Sequence, residues 1–529
     1  MDALGSVEYS PTPVDDVRDE PPAASPPAAL EGQVLARQVG VVVMGRIAAA
    51  AAEVLLPILL VRFLDKLSVA VLAYVLLLYG TVATIVATGL PESVLYFLAG
   101  KSPGQRRRTV RRLALILGAF GGLVALGFLG FWAIASWTGA VEARMLRFIP
   151  WLVPYALFDL PSRLLPHLLV AESRHRQSAW FSMLDSGSQL VAVLVPAGLG
   201  APLWVPFAAL SACAAVKLGV LWGAMRWFYR GGGGDDAAPV SVGAIFRYAL
   251  PLGLSEITSI LNQRFDRFLV AALFTSAQFA DYFVGAWQIP VVTIIPFAAG
   301  NVLMPRFTEL FQAGRGAEAV ALWRLSAEKI CLIILPVAVL FVVSAEETVA
   351  LLFGSSYSGA AWVFRIYTLV LLGRVAAYGN MLAAAGRTRD VLYATSLGLV
   401  VNVVASVPLA YIVGFTGAAW GTVAAFVVIV GYYLRQIGRS SGVPVRQVFP
   451  FARWAQVLGV CGAAAGPAVA FKLLVPAGPG LALAGEAVAM LVTYSVLGTV
   501  LGLIRRADWA YVRDWLSLRG LRSAEGRGT

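Results

Sequence analysis

The sequence predicts an all-α integral membrane protein with about 14 transmembrane helices, arranged as two pseudo-symmetric six-helix lobes plus two C-terminal helices. Three observations predict this class. The 529 residues are 59% hydrophobic and only 13% charged, whereas a soluble domain carries roughly a quarter charged residues. Apolar segments long enough to span a bilayer follow one another with little interruption. Short basic loops alternate with loops that are nearly free of positive charge.

The first 35 residues are rich in Pro, Ala and acidic side chains and are predicted to form a disordered cytoplasmic tail. They lack a basic region followed by an apolar core, so we expect the first helix to act as an uncleaved insertion signal. The predicted spans lie near residues 36–62, 67–97, 113–136, 146–170, 177–200, 202–226, 247–274, 279–304, 325–344, 358–384, 391–413, 415–437, 451–474 and 481–504.

The loop charges predict the orientation. The loop after the second span carries Lys101, Arg106, Arg107, Arg108, Arg111 and Arg112. Arginines recur in every second loop after it, whereas the intervening loops are apolar or, at Glu346 and Glu347, acidic; Arg62, Lys66 and Arg144 are the exceptions. Because positive loops stay in the cytoplasm, both termini are predicted to be cytoplasmic. This topology accounts for the net charge of +12, so no nucleic-acid partner is expected.

The predicted organisation divides the chain into six parts. These are a tail (1–35), an N-terminal six-helix lobe (36–229), a cytoplasmic linker (230–243), a C-terminal six-helix lobe (244–438), two extra helices (439–505) and a basic cytoplasmic tail (506–529). The linker contains GGGG, which favours flexibility. A weak repeat supports the two lobes, because Arg62-Phe-Leu and Arg267-Phe-Leu both precede a serine and spaced aromatic residues. Chance similarity between apolar segments is the alternative interpretation.

Ionisable residues inside apolar spans are costly and often functional. The first span carries Arg46 and Glu53 on one helical face. The fourth carries Asp159, Arg163 and His167 at intervals of four residues, again on one face. The fifth contains Asp185 and Gln189, and the sixth contains Lys217. This pattern predicts a lumen lined from several helices.

The seventh span, residues 247–274, is the most polar. Glu256, Gln263 and Arg267 fall within a narrow arc of the helix, whereas Arg264 points to another side. We therefore expect either Arg264 or the Gln263 face, but not both, to meet a substrate. In the tenth span, Tyr367, Arg374 and Tyr378 are predicted to share one face.

These patterns define two sets of candidates. The candidate cavity residues are Arg46, Glu53, Asp159, Arg163, Asn262, Gln263, Arg264, Tyr367, Arg374 and Tyr378. The candidates for proton or ion coupling are Glu53, Asp185, Glu256 and Asp266. The alternative is structural: Asp159 with Arg163, and Asp266 with Arg264 or Arg267, would be ion pairs that hold helices together.

No enzyme motif is present. The chain has no Walker A sequence, no GxSxG, no HExxH and no paired metal ligands, so neither catalysis nor a cofactor or metal is expected. A membrane-embedded polysaccharide polymerase or glycosyltransferase would need a large extracytoplasmic loop, and all such loops are predicted to be short. A non-transporting scaffold, recruiting partners through its N-terminal tail, is another alternative.

Two stretches carry a family resemblance: ATGLPESVLYFLAG (87–100) and FRYALPLGLSEITSILNQRFDRFLVAALFTSAQFADYFVGAWQIP (246–290). With the helix pattern over roughly 36–505, they resemble the bacterial polysaccharide (O-antigen type) flippase branch of the multidrug/oligosaccharidyl-lipid/polysaccharide exporter superfamily. The resemblance implies a V-shaped bundle with a cationic central cavity. It also implies alternating-access transfer of undecaprenyl-diphosphate-linked oligosaccharides across the inner membrane.

The implied partners are membrane lipid, the polyprenyl-diphosphate-linked oligosaccharide, and a polysaccharide polymerase and co-polymerase. Arginine suits this cargo because its planar guanidinium donates several hydrogen bonds to phosphate oxygens. Two rivals keep the fold and change the cargo. One is a multidrug or organic-cation antiporter, which needs an acid-dominated cavity and is disfavoured by Arg46, Arg264 and Arg374. The other is a peptidoglycan lipid-precursor flippase.

Overall fold

The computed structural model describes residues 54–87, 89–139, 142–230, 240–287 and 289–504, so the candidates Arg46 and Glu53 lie outside the described residues. These ranges contain helices and no β-strand, which confirms the all-α prediction. The first half comprises α1 (Val54–Phe63), α2 (Lys66–Ala87), α3 (Ser93–Leu98), α4 (Pro103–Thr138), α5 (Ala143–Leu146), a 3-10 turn (Ile149–Trp151), α6 (Leu152–Ser162), α7 (Leu164–Ala171), α8 (His175–Gly198) and α9 (Trp204–Phe228).

The second half comprises α10 (Val242–Leu273), α11 (Ser276–Gly285), α12 (Pro290–Gln312), α13 (Gly316–Val343), α14 (Ala345–Phe353), a 3-10 turn (Ser355–Tyr357), α15 (Ala360–Leu371), α16 (Tyr378–Ala384), α17 (Thr388–Val413), α18 (Phe415–Ser441), α19 (Val445–Val448), α20 (Phe451–Leu474) and α21 (Pro479–Val500). Within the described ranges, 8 helices are long and apolar enough to cross a membrane: α2, α4, α9, α13, α17, α18, α20 and α21. The chain is therefore a multi-pass membrane protein, and the count of fourteen spans stays a prediction.

Several predicted spans are assembled from shorter helices where glycine or proline interrupts the backbone. The span predicted at 67–97 divides into α2 and α3 at Gly89, whose φ of +78° lies in the left-handed region. The span predicted at 146–170 divides after Pro161, near the end of α6. Such breaks are tolerated in membrane helices when neighbouring groups satisfy the freed backbone.

The span predicted at 358–384 divides into α15 and α16, with residues 372–377 between them. The Tyr378 hydroxyl donates to the Gly373 carbonyl at 2.8 Å and so satisfies one backbone group freed by the break. Because of this break, Tyr367 lies on α15, Arg374 lies in the connecting segment, and Tyr378 is the first residue of α16. The prediction that they share one helical face is wrong.

Most contacts between helices fall within one half of the chain or the other, and we call these two groups of helices the N-terminal and C-terminal bundles. In the N-terminal bundle, α6 lies against α4 and α9, and α8 lies against α9. In the C-terminal bundle, α10 packs on α17 and α18, while α20 and α21 pack on each other and on α13. Helices α17 and α18 approach each other closely because Gly417 and Gly421 have no side chain. A Cβ on Gly421 would lie 1.9 Å from Ser406 Oγ.

Helix α2 joins the two bundles by packing on α10 and α11. At the first residue of α2, Lys66 Nζ lies 2.7 Å from the Asp281 carboxylate. Just before α2, the Arg62 guanidinium donates a hydrogen bond to the Leu351 carbonyl at 2.6 Å. Beyond its last residue, the Tyr96 ring stacks on Tyr248 with ring centroids 4.5 Å apart. The two bundles therefore touch at both ends of α2.

Candidate functional site

The first candidate site is a cavity of about 590 Å³ in the N-terminal bundle, which we call the N-bundle cavity. Its polar lining comes from α2, from the residue before α3, from α6 to α9, and from α10. These polar residues are Thr84, Glu92, Tyr155, Asp159, Ser162, Arg163, His167, Asp185, Gln189, Lys217 and Glu256. The 4-residue spacing of Asp159, Arg163 and His167 thus brings all three to one cavity, although α6 gives way to α7 at Arg163.

Four charges form a network in the wall of this cavity. Asp159 is 3% exposed and accepts hydrogen bonds from Tyr79 Oη at 2.7 Å, Arg163 Nε at 2.8 Å and Lys217 Nζ at 2.9 Å. Lys217 Nζ also lies 3.0 Å from Asp185 Oδ1. Two carboxylates and two cations neutralise one another, which offsets much of the cost of removing them from water. The network joins α6, α8 and α9 as well as lining the cavity.

Lys217 was not among the candidate residues, although it occupies the centre of this network. The signal that identifies it is a single lysine in the middle of α9, a 25-residue apolar helix. Its partner Asp159 is 58 residues away in sequence. Helical periodicity alone could not pair them.

The charge balance of the N-bundle cavity differs from the cationic cavity that the family resemblance implies. Its described lining contains four carboxylates, those of Glu92, Asp159, Asp185 and Glu256, and two cations, those of Arg163 and Lys217. With His167 neutral, two positive and four negative charges give a formal charge of −2. Of these carboxylates, Glu256 is exposed. The carboxylate of Glu92 lies close to an imidazole, with Oε1 3.8 Å from His167 Nε2. The described wall is therefore mixed in charge with an excess of acids.

The second candidate site is a cavity of about 330 Å³ in the C-terminal bundle, which we call the C-bundle cavity. Its polar and aromatic lining residues are Ser259, Asn262, Gln263, Trp287, Tyr367, Thr368, Arg374, Thr395, Thr422 and Phe426. Among the lining residues that the structure describes, Arg374 is the one with a charged side chain, and its guanidinium lies 5.7 Å from the centre of the Phe426 ring. Hydroxyl, amide and aromatic groups beside one cation suit a polar ligand that carries an anionic group.

Asp266 lies behind the C-bundle cavity and is completely buried. Its carboxylate accepts hydrogen bonds from Tyr282 Oη at 2.6 Å, from the Tyr367 hydroxyl, and from Thr422 Oγ1 at 3.2 Å. The backbone N–H of Arg267 donates at 2.9 Å, while the Arg267 guanidinium donates to the Ala286 carbonyl. Hydroxyl groups, rather than the predicted pairing with the Arg267 guanidinium, surround this carboxylate.

Helix α10 is shared by both sites. Glu256 lines the N-bundle cavity, and Asn262 and Gln263 line the C-bundle cavity. Arg264 lines neither of the two cavities and donates to Thr81 Oγ1 of α2 at 3.0 Å. Tyr378 also lines neither; it is buried and stacks on Tyr433 with ring centroids 6.3 Å apart.

Comparison with known proteins gives a family and a fold. The family model for "polysaccharide biosynthesis protein" matches residues 35–311. The fold is similar to a solved structure described as lipid II flippase MurJ in an inward closed conformation, with 10% identity, a TM-score of 0.64, and coverage of 86% of this chain and 98% of that chain. It is also similar to a multidrug resistance MATE family transporter of the MOP superfamily in an inward-facing conformation, with 16% identity, a TM-score of 0.58, and coverage of 74% and 94%. No match was found among curated proteins.

Proposed function

Because the chain belongs to the family of polysaccharide biosynthesis proteins, we propose that it is a flippase of the bacterial inner membrane with both termini in the cytoplasm. Its proposed cargo is an undecaprenyl-diphosphate-linked oligosaccharide used to make O-antigen, exopolysaccharide or capsule. The observation that carries this proposal is the presence of two polar cavities inside the helical bundles of a membrane protein, with Arg163 and Lys217 in one and Arg374 in the other.

Residues of the two cavities would recognise different parts of such a cargo. In the N-bundle cavity, Arg163 directs its Nε toward Asp159, and its side chain is 30% exposed. Its terminal nitrogens can therefore donate to phosphate oxygens, and charge-assisted hydrogen bonds of this kind are among the stronger ones. In the C-bundle cavity, Gln263 and Tyr367 offer amide and hydroxyl groups for sugars. The lipid chain would stay in the hydrocarbon core of the bilayer, so its transfer would not expose it to water.

Alternating access would require the two bundles to separate first at one end of α2 and then at the other. Lys66 and Asp281 hold the bundles together at the end that the loop charges predict to be extracytoplasmic. The Tyr96–Tyr248 stack holds them at the opposite end. Asp266 is a candidate for proton coupling, because its described hydrogen-bond partners are hydroxyls and one backbone N–H. A polymerase and co-polymerase would receive the cargo outside.

The test is translocation in proteoliposomes loaded with a fluorescent undecaprenyl-diphosphate oligosaccharide. An impermeant glycosidase reports how much label reaches the outer leaflet. Arg163→Gln and Arg374→Gln should each slow translocation at least ten-fold. Arg306→Gln is the matched control, because Arg306 forms an exposed pair with Glu309 and lines neither cavity. Translocation no faster than in protein-free liposomes would refute the proposal.

A second candidate is a multidrug or organic-cation antiporter, because acids outnumber bases by four to two in the described lining of the N-bundle cavity. The same proteoliposomes distinguish it. An antiporter would take up an organic cation such as ethidium when a pH gradient is imposed, and Glu256→Gln would abolish the uptake. A flippase would move the lipid-linked sugar and leave ethidium outside.

A further inference from the structure

A third concave surface lies between α8 and α9 on the outside of the N-terminal bundle. It encloses about 540 Å³ and is walled by α7, the first turns of α8 and the last turns of α9. We call it the α8–α9 groove. Apart from Gln177, its lining is apolar and includes four aromatic side chains, those of Trp180, Phe181, Trp227 and Phe228. Trp180 and Trp227 are 54% and 51% exposed, so the groove is open at the surface of the protein.

The rim of the groove is cationic. The Arg174 guanidinium lies 4.3 Å above the Trp227 ring and 4.9 Å above the Phe228 ring. Arg176 and Arg226 are exposed and immediately precede two lining residues. The nearby acid, Glu172, forms an ion pair with Arg106 at 3.1 Å and accepts a hydrogen bond from the Tyr229 hydroxyl at 2.8 Å. The rim therefore complements an anionic headgroup above an apolar chain.

Phe181 lines both the α8–α9 groove and the N-bundle cavity. A single aromatic side chain thus belongs to the wall of both the lipid-facing groove and the charged interior. Contact with ordinary lipid explains why the outer faces of α8 and α9 are apolar. It does not explain why this concave surface shares a wall residue with the polar cavity, or why Arg174 lies over two of its aromatic rings.

We propose that the α8–α9 groove binds the polyprenyl chain of the diphosphate-linked cargo, with the diphosphate near Arg174 during loading and Phe181 separating the chain from the N-bundle cavity. This inference rests on the proposed function and adds the route by which the lipid part of the cargo is held. The groove lies at the end of α8 and α9 that is predicted to be cytoplasmic, where the cargo would enter.

Gly223 provides a variant that fills the groove. A Cβ at Gly223 meets no atom within 4 Å, so Gly223→Leu places a side chain in the groove without displacing the backbone. Gly127→Leu on α4 is the matched control, since Gly127 is exposed, has the same open surroundings and lines none of the three concave surfaces. Both substitutions improve helix propensity by a similar amount.

The assay measures binding of radiolabelled undecaprenyl diphosphate to the purified full chain in phosphatidylcholine nanodiscs. Gly223→Leu should weaken binding about ten-fold, Gly127→Leu should leave it unchanged, and inorganic diphosphate should bind all three proteins equally. Equal binding of undecaprenyl diphosphate to the wild type and Gly223→Leu would overturn the groove and leave the flippase proposal standing. No binding to the wild type would overturn both. Equal competition by phosphatidylglycerol would show a general anionic-lipid site and would overturn the groove proposal.

A second measurement does not depend on how Gly223→Leu folds. A photoreactive benzoylphenylalanine at Trp180 should cross-link to the polyprenyl chain, whereas the same group at Trp132 of α4, which is 40% exposed, should not. Equal labelling at the two positions would show ordinary lipid contact and overturn the proposal.

Discussion

Replacing Asp159 by Asn removes the counter-charge of two cations while preserving the volume of the side chain. Loss of one partner of a buried ion pair costs about 3–5 kcal/mol. Two features of the structure reduce that cost. Lys217 keeps Asp185 at 3.0 Å, and the Arg163 side chain is 30% exposed to the cavity. We therefore expect Asp159→Asn to lower the free energy of unfolding by about 2–3 kcal/mol.

A double-mutant cycle with Lys217→Met separates the interaction from the individual losses. Coupled residues in one ion-pair network show interaction energies of roughly 0.5–3 kcal/mol, and we expect about 2 kcal/mol for Asp159 with Lys217. The assay is unfolding in mixed detergent micelles. The exposed Arg306–Glu309 pair is the control, for which about 0–1 kcal/mol is expected. If the effects of Asp159→Asn and Lys217→Met add to within about 0.5 kcal/mol, the network is not energetically coupled and the reasoning is refuted.

Three further substitutions test other parts of the molecule. Lys66→Glu should stop translocation, and adding Asp281→Lys should restore it; no restoration would mean that the 2.7 Å contact does not hold the bundles together. Gly421→Val should destabilise the protein by about 1–3 kcal/mol through overpacking against Ser406, whereas Gly431→Val on the same helix has open space and should be neutral in thermal unfolding. Asp266→Asn should flatten the pH dependence of translocation, and an unchanged pH profile would exclude Asp266 as the coupling site.

Helical periodicity predicted the local part of the candidate site. The spacing of Asp159, Arg163 and His167 brings them to one cavity, because one turn of helix returns every fourth residue to the same side. The same reasoning separated Gln263 from Arg264, and the structure places Gln263 in the C-bundle cavity and Arg264 against α2. The resemblance to polysaccharide flippases is confirmed at the level of the family.

The remaining features depend on distant parts of the chain. Arg264 and Thr81 are 183 residues apart, and no pattern along one helix could pair them. The excess of acids in the N-bundle cavity likewise doubles, from one charge to two, when Glu256 from the second half of the chain joins the residues from the first. The break between α15 and α16 was missed because residues 372–377 contain no proline and read as a continuation of the span.

The shared position of α10 has a consequence for the path of the cargo. An α-helix rises 1.5 Å per residue, so Gln263 lies about 10 Å, and Asp266 about 15 Å, farther along the axis than Glu256. The larger distance is half the thickness of a typical hydrocarbon core, which is about 30 Å. α10 therefore offers polar groups at successive depths of the bilayer. Under the proposed function, a headgroup that moved along α10 would pass from the N-bundle cavity at Glu256 to the C-bundle cavity at Asn262 and Gln263, while the buried Asp266 would lie behind that second cavity.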